Sequence, residues 1–129
     1  MRYRTGVAIE FSAAHFHGGA GPECARVHGH NYRVEAAVES GRLEAGMVLD
    51  FRVLREILRE AVSGWTHRLL NDTAEFRDVL PTTENLARIV YEKSAAAAGR
   101  AGARLIRITV WEKNDCWASY GGEAGDART

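Results

Sequence analysis

The side chains of this chain best suited to metal chemistry fall in one short stretch, Cys24-Ala-Arg-Val-His28-Gly-His30-Asn31-Tyr32, with His15 a short way upstream. Side chains alternate across a strand, so His28 and His30 project from the same face of an extended segment. Neutral imidazoles are good zinc ligands. Three protein ligands with a fourth position left open is the arrangement of a catalytic zinc rather than a structural one. Cys24 admits three readings: a small buried hydrophobe, a thiol of lowered pKa that moves a proton, or a fourth ligand that closes the site.

Other residues carry chemistry less sharply. His67, in Trp65-Thr66-His67-Arg68-Leu69-Leu70-Asn71-Asp72, follows a helical stretch, where a histidine either complements the helix dipole or serves as an acid/base. Glu112 ends an otherwise apolar row and either pairs with an arginine or grips the N–H donors of a ligand. Thr82 and Thr83 stand at a helix start, as caps or as partners for a polar heterocycle. Arg26 and Lys113 read as solvated charges.

The elements that must position these groups follow from hydrophobic periodicity. Residues 3–15 alternate, with Tyr3, Val7, Ile9, Phe11, Ala13 and His15 on one face, which predicts a half-buried strand ending at His15. Residues 17–22 are glycine-rich and read as loop. A second strand is predicted from about His28 to Glu39, with His28, His30, Tyr32, Val34, Ala36 and Val38 facing inward and Glu39 outward. Antiparallel pairing brings the end of the first strand beside the start of the second, so His15 meets His28 and His30.

From Asp50 the period changes. Phe51, Leu54, Ile57, Leu58, Ala61, Val62 and Trp65 follow helical spacing behind an Asp50 cap. A second helix is predicted after Pro81, capped by a threonine, with Leu86, Ile89 and Val90 inward and an end near residues 99–102. Residues 104–113 and 116–120 read as two further strands. The predicted order is ββααββ, an α+β layer with two helices on one face of a four-stranded antiparallel sheet.

Composition sets limits on this reading. The 129 residues are enough for one domain, assigned to 1–120, with a small polar tail, 121–129, expected to be flexible. Lysine plus arginine and aspartate plus glutamate balance at 17 each, which argues against generic nucleic-acid binding. No apolar run approaches the roughly 20 residues of a membrane span. The N-terminus lacks an apolar signal core, and the two cysteines are too few for a disulfide framework, so free thiols in a cytoplasmic setting are expected.

Six short motifs occur in order: Ser12-Ala-Ala-His15, Cys24-x3-His28-Gly-His30-Asn31, Val48-Leu-Asp-Phe51, His67 followed by Leu70-Asn71-Asp72, Pro81-Thr-Thr-Glu-Asn-Leu86, and Trp111-Glu112-Lys113. Together, over about residues 5–120, they resemble the 6-pyruvoyl-tetrahydropterin synthase/6-carboxytetrahydropterin synthase family. The three-residue gap between Cys24 and His28 resembles the 6-carboxy-5,6,7,8-tetrahydropterin synthase branch of the queuosine pathway. The resemblance implies a tunnelling (T-fold) unit that assembles as a homohexamer, a dimer of trimers, with active sites between subunits.

It further implies zinc on His15, His28 and His30, proton transfer by Cys24 and His67, and a pterin ring anchored by Glu112 with Thr82 and Thr83. The implied reaction converts 7,8-dihydroneopterin triphosphate to 6-carboxytetrahydropterin, acetaldehyde and triphosphate. Alternatives of the same kind are a 6-pyruvoyl-tetrahydropterin synthase or a related pterin side-chain lyase. One departure stands out, because the family usually has aspartate immediately before the histidine matching His67, and here Thr66 occupies that place. An aspartate would fix the tautomer of that histidine. Its loss leaves open a catalytically weakened zinc protein that binds pterins.

Overall fold

A computed structural model of the chain describes residues 1–18 and 25–122; Cys24 and the tail residues 123–129 lie outside the described residues. The sheet is antiparallel, in the order β1 (Tyr3–His15), β2 (His28–Ser40), β3 (Arg104–Lys113) and β4 (Cys116–Gly121). Between β2 and β3 the chain makes α1 (Phe51–Val62), two single-turn 3-10 helices (Leu70–Asp72 and Ala74–Phe76) and α2 (Thr83–Arg100). This is the predicted ββααββ order. Among the described residues no helix is long and apolar enough to cross a membrane.

Each helix begins where its cap chemistry dictates. The Asp50 carboxylate accepts from the Arg52 N–H at 2.8 Å, and Thr82 Oγ1 accepts from the Asn85 N–H at 3.2 Å. Such caps satisfy N–H groups that have no partner inside the helix, and each contributes about 1 kcal/mol. The helices lie on one face of the sheet, α1 against β1 and α2 against β3 and β4. Between the layers, Ile9, Phe11, Tyr32, Val34 and Val110 meet Leu54, Leu58, Leu86 and Val90, all buried.

Several local expectations are corrected. The first helix stops at Val62, and Trp65 belongs to the turn that follows. Its indole is nonetheless fully buried against Phe11 and Phe76, which is why the helical spacing carried through to it. Tyr3 and Phe51, read as inward, are exposed. Glu39, read as outward, keeps that face opposite Arg4, yet it is buried because Arg2, Arg4 and Arg104 gather on its carboxylate. Burial pushes that carboxyl up, but the hydrogen bonds from Arg104 and Arg4 and the Arg2 charge outweigh it and hold it below the usual range. Gly121, assigned to the tail, ends β4. Its φ of 146° and the Ile106 carbonyl 2.2 Å from where a Cβ would stand leave room only for glycine.

Candidate metal centre

The β1–β2 register sets His15 opposite His28 and Ala13 opposite His30, so three imidazoles crowd the apolar face at one end of the hairpin. Their ring centroids lie 4.6 Å (His15–His28), 5.1 Å (His15–His30) and 4.9 Å (His28–His30) apart. One ligand atom from each lies within 4.8 Å of the others. The sequence argument from strand parity therefore lands on a real cluster.

Backbone carbonyls hold two of the rings. His15 Nδ1 donates to the Pro81 carbonyl at 2.8 Å, and His28 Nδ1 donates to the Arg26 carbonyl at 2.7 Å. A carbonyl can only accept, so the proton sits on Nδ1 and the lone pair on Nε2, the tautomer a metal ligand requires. Among the described residues, His15 Nε2 and His30 Nε2 are buried and have no hydrogen-bond partner. Buried polar atoms are normally paired, and a divalent cation would satisfy both. Burial lowers the pKa of both His15 and His30, against the pull of the Glu112 charge, and so favours the neutral, ligating form. The donor set fits a metal ion.

Glu112 closes one side. Its Oε1 lies 3.4 Å from His15 Nε2 and 3.8 Å from His30 Nε2, and it accepts from the Thr83 hydroxyl at 3.3 Å. Thr83 is the first residue of α2, whereas Thr82 spends its hydroxyl on the helix cap. Of the two threonines, only Thr83 is thus brought to the carboxylate.

His67 sits elsewhere, on the outer edge of β1. Its N–H donates to the Ser12 carbonyl at 2.6 Å, and the Ala14 N–H donates to the Arg68 carbonyl at 2.9 Å. Asn71 clamps the next turn by giving and taking hydrogen bonds with the Phe16 backbone, at 2.9 and 3.0 Å. This edge pairing holds His67 at a φ of 60°, a left-handed conformation costly for a non-glycine residue and often found at functional positions. The exposed imidazole lines, with Ser12, Asn31 and His30, a groove of about 540 Å³. Among the described residues it makes no hydrogen bond or ring contact with the three histidines. The Thr66 hydroxyl donates to the Val62 carbonyl at 3.2 Å, so it does not orient His67. Arg26 and Lys113 are exposed, and Cys24 lies outside the described residues.

The profile of the family described as 6-pyruvoyl tetrahydropterin synthase matches residues 5–123. The chain belongs to this family. Within it, the chain is 37% identical over 113 residues to an Archaeoglobus fulgidus protein provisionally named 6-carboxy-5,6,7,8-tetrahydropterin synthase, covering 88% of this chain and 90% of that one. It is 32% identical over 93 residues to the dihydroneopterin monophosphate aldolase of Pyrococcus furiosus, covering 72% and 76%. The solved structure of Caenorhabditis elegans 6-pyruvoyl tetrahydropterin synthase matches with a TM-score of 0.81 over 95% of this chain and 97% of that chain, at 24% identity, and shows the shared T-fold.

Two features of the centre had little or no signal in the sequence. The Pro81 carbonyl acts on a histidine 66 positions away, which no local pattern reports. The Tyr32 ring packs edge-on to His15 and His30, at 6.0 and 5.6 Å, with its hydroxyl buried and unpartnered. Strand parity put Tyr32 on this face, but a missing partner is visible only in three dimensions.

Proposed function

We propose that this chain is a zinc-dependent 6-carboxy-5,6,7,8-tetrahydropterin synthase of the 7-deazaguanine (queuosine) route, acting on 7,8-dihydroneopterin triphosphate. The observation that carries the reading is the meeting of three metal-competent imidazoles with a carboxylate, Glu112, on one buried face. The name of the A. fulgidus relative supports the carboxy branch. His15, His28 and His30 would hold the ion. When bound, zinc would polarise the oxygens of the pterin side chain and stabilise negative charge that develops there.

The rest is work for this chain's own residues. Glu112 accepts from the N–H groups of the pyrimidine edge, in charge-assisted bonds that fix the ring's orientation. The Thr83 hydroxyl keeps that carboxylate in place, while Thr82 supports it through the helix cap. Cys24 and His67 take and return the protons that shift along the side chain before carbon–carbon cleavage releases acetaldehyde. The exposed position of His67, away from its own three histidines, suits a site completed by a second copy of the chain, as in a hexamer built of two trimers.

The deciding experiment is incubation of the zinc-loaded protein with dihydroneopterin triphosphate, with products identified by mass. 6-Carboxytetrahydropterin with acetaldehyde supports the reading. Triphosphate loss without acetaldehyde would instead mean the pyruvoyl product. Parallel incubation with dihydroneopterin monophosphate tests the aldolase chemistry that the P. furiosus relative is named for. A second reading, a pterin-binding protein of weak turnover, is favoured by one observation: Thr66 spends its hydroxyl on Val62 and leaves the His67 imidazole without a side chain to orient it. Tight pterin binding without turnover would select it.

A further inference from the structure

Among the described residues, three of the buried polar side-chain atoms without a hydrogen-bond partner stand together in the metal centre: His15 Nε2, His30 Nε2 and the Tyr32 hydroxyl. A metal ion accounts for the two nitrogens. It does not account for the phenol, which at neutral pH is an O–H donor. Leaving a buried donor unmade is costly, whereas a donor waiting for an acceptor that arrives with the ligand is useful.

The geometry names the acceptor. Tyr32 and Glu112 border the same two imidazoles: the tyrosine ring packs against His15 and His30, and Glu112 Oε1 lies 3.4 Å and 3.8 Å from their Nε2 atoms. The tyrosine ring has little freedom. It stacks on Phe11 at 5.1 Å and 17°, and the His15 and His30 rings stand edge-on to it.

Glu112, for its part, is short of donors. The Thr83 hydroxyl reaches it, but His15 shows it only a lone pair while the ring proton is on Nδ1. Beside a divalent ion, an ionised carboxylate this close to the ligand nitrogens would bind as a fourth ligand unless something held it back. We infer that Tyr32 is a positioning residue, whose hydroxyl donates to the Glu112 carboxylate in the metal-loaded site and so keeps Glu112 off the metal and available to the pterin ring. The inference rests on the pterin reading above.

Tyr32→Phe tests it, since the ring and its stacking remain. Three measurements are made: the melting temperature of metal-free protein, the affinity of zinc-loaded protein for neopterin by fluorescence, and the visible spectrum of the cobalt-substituted protein. The expected result is a metal-free melting temperature equal to or above that of the wild type, since only an unsatisfied hydroxyl is lost. Neopterin binding should weaken about tenfold, the scale of one charge-assisted hydrogen bond. The cobalt bands should weaken as the freed carboxylate raises the coordination number.

Neopterin affinity within about twofold of the wild type, or a lowered metal-free melting temperature, would overturn the inference and leave Tyr32 a structural residue. Weaker binding with an unchanged cobalt spectrum would also overturn it, by putting the hydroxyl on the pterin and not on Glu112. If the wild-type loaded protein bound no neopterin, the pterin reading would fall first, and this inference with it.

Discussion

Acidifying the metal-free protein should destabilise it in a window set by two buried histidines. His15 is fully buried and the His30 side chain is only 10% exposed, and both have pKa values lowered from an ordinary 6.5. Burial is the largest cause, the neighbouring histidines add to it, and Glu112 opposes it. Between 6.5 and the lowered values the unfolded chain binds more protons than the folded one, so stability rises with pH there and is lost as pH falls.

Each such group contributes at most about 1.4 kcal/mol per pH unit, so the pair reaches about 2.7 kcal/mol per unit at its steepest. For a domain of this size, roughly 3–5 °C of melting temperature accompanies each kcal/mol, which gives a fall of up to about 13 °C over one pH unit. The carboxyls of Asp50 and Glu75, held low by their bonds to Arg52 and Lys93, lose their contributions only below the carboxylate range and do not blur the window. The assay is thermal melting in chelator at constant ionic strength from about pH 8 to 5, on wild type and on the His15→Gln/His30→Gln double variant, which should flatten the slope. A wild-type melting temperature that stayed level or rose on acidification would refute the reasoning. It would mean that Glu112 holds the imidazoles protonated and that its attraction outweighs burial.

Zinc at about a hundred times its dissociation constant should stabilise the wild type by at most about 2.7 kcal/mol, while His28→Ala should abolish the response; melting with metal analysis checks both. Thr82→Ala should cost about 1 kcal/mol of stability through the lost cap and weaken neopterin binding less than Thr83→Ala does. Thr83→Ala should do the reverse, and paired melting and binding measurements separate the two. Thr66→Asp should raise turnover about tenfold or more by giving His67 a carboxylate, and an unchanged kcat and pH profile would show that His67 needs no such partner.

The sheet was legible because the inner face of β1, β2 and β3 is apolar and the outer face polar, and that contrast alone put His15, His28 and His30 together. The helix starts were legible from Asp50 and Thr82, whose capping chemistry is local. Trp65 misled because burial, which a sequence pattern reports, continues past the helix into a turn packed on Phe76. Glu39 misled because an outward carboxylate is buried here by Arg2, Arg4 and Arg104, a gathering from both ends of the chain that alternation does not report. Within the site, the three clustered imidazoles and Glu112 could be read from alternation. The groups that orient them, the Pro81 carbonyl and the Thr83 hydroxyl, come from distant chain segments and carry no periodic signal.

All three imidazoles come from a single hairpin, His15 to His30, while the Pro81 carbonyl and Glu112 come from segments far along the chain. That separation has a consequence for the denatured state. A chain stripped of all tertiary structure still carries His28-Gly-His30 and, a short loop away, His15, so it retains some affinity for the ion. Metal bound by the unfolded chain subtracts from the stabilisation that binding gives the native fold. The zinc-induced rise in melting temperature should therefore fall short of what the native dissociation constant alone predicts. The shortfall measures how much of the centre's affinity belongs to the hairpin and how much to the clamps that folding brings to it.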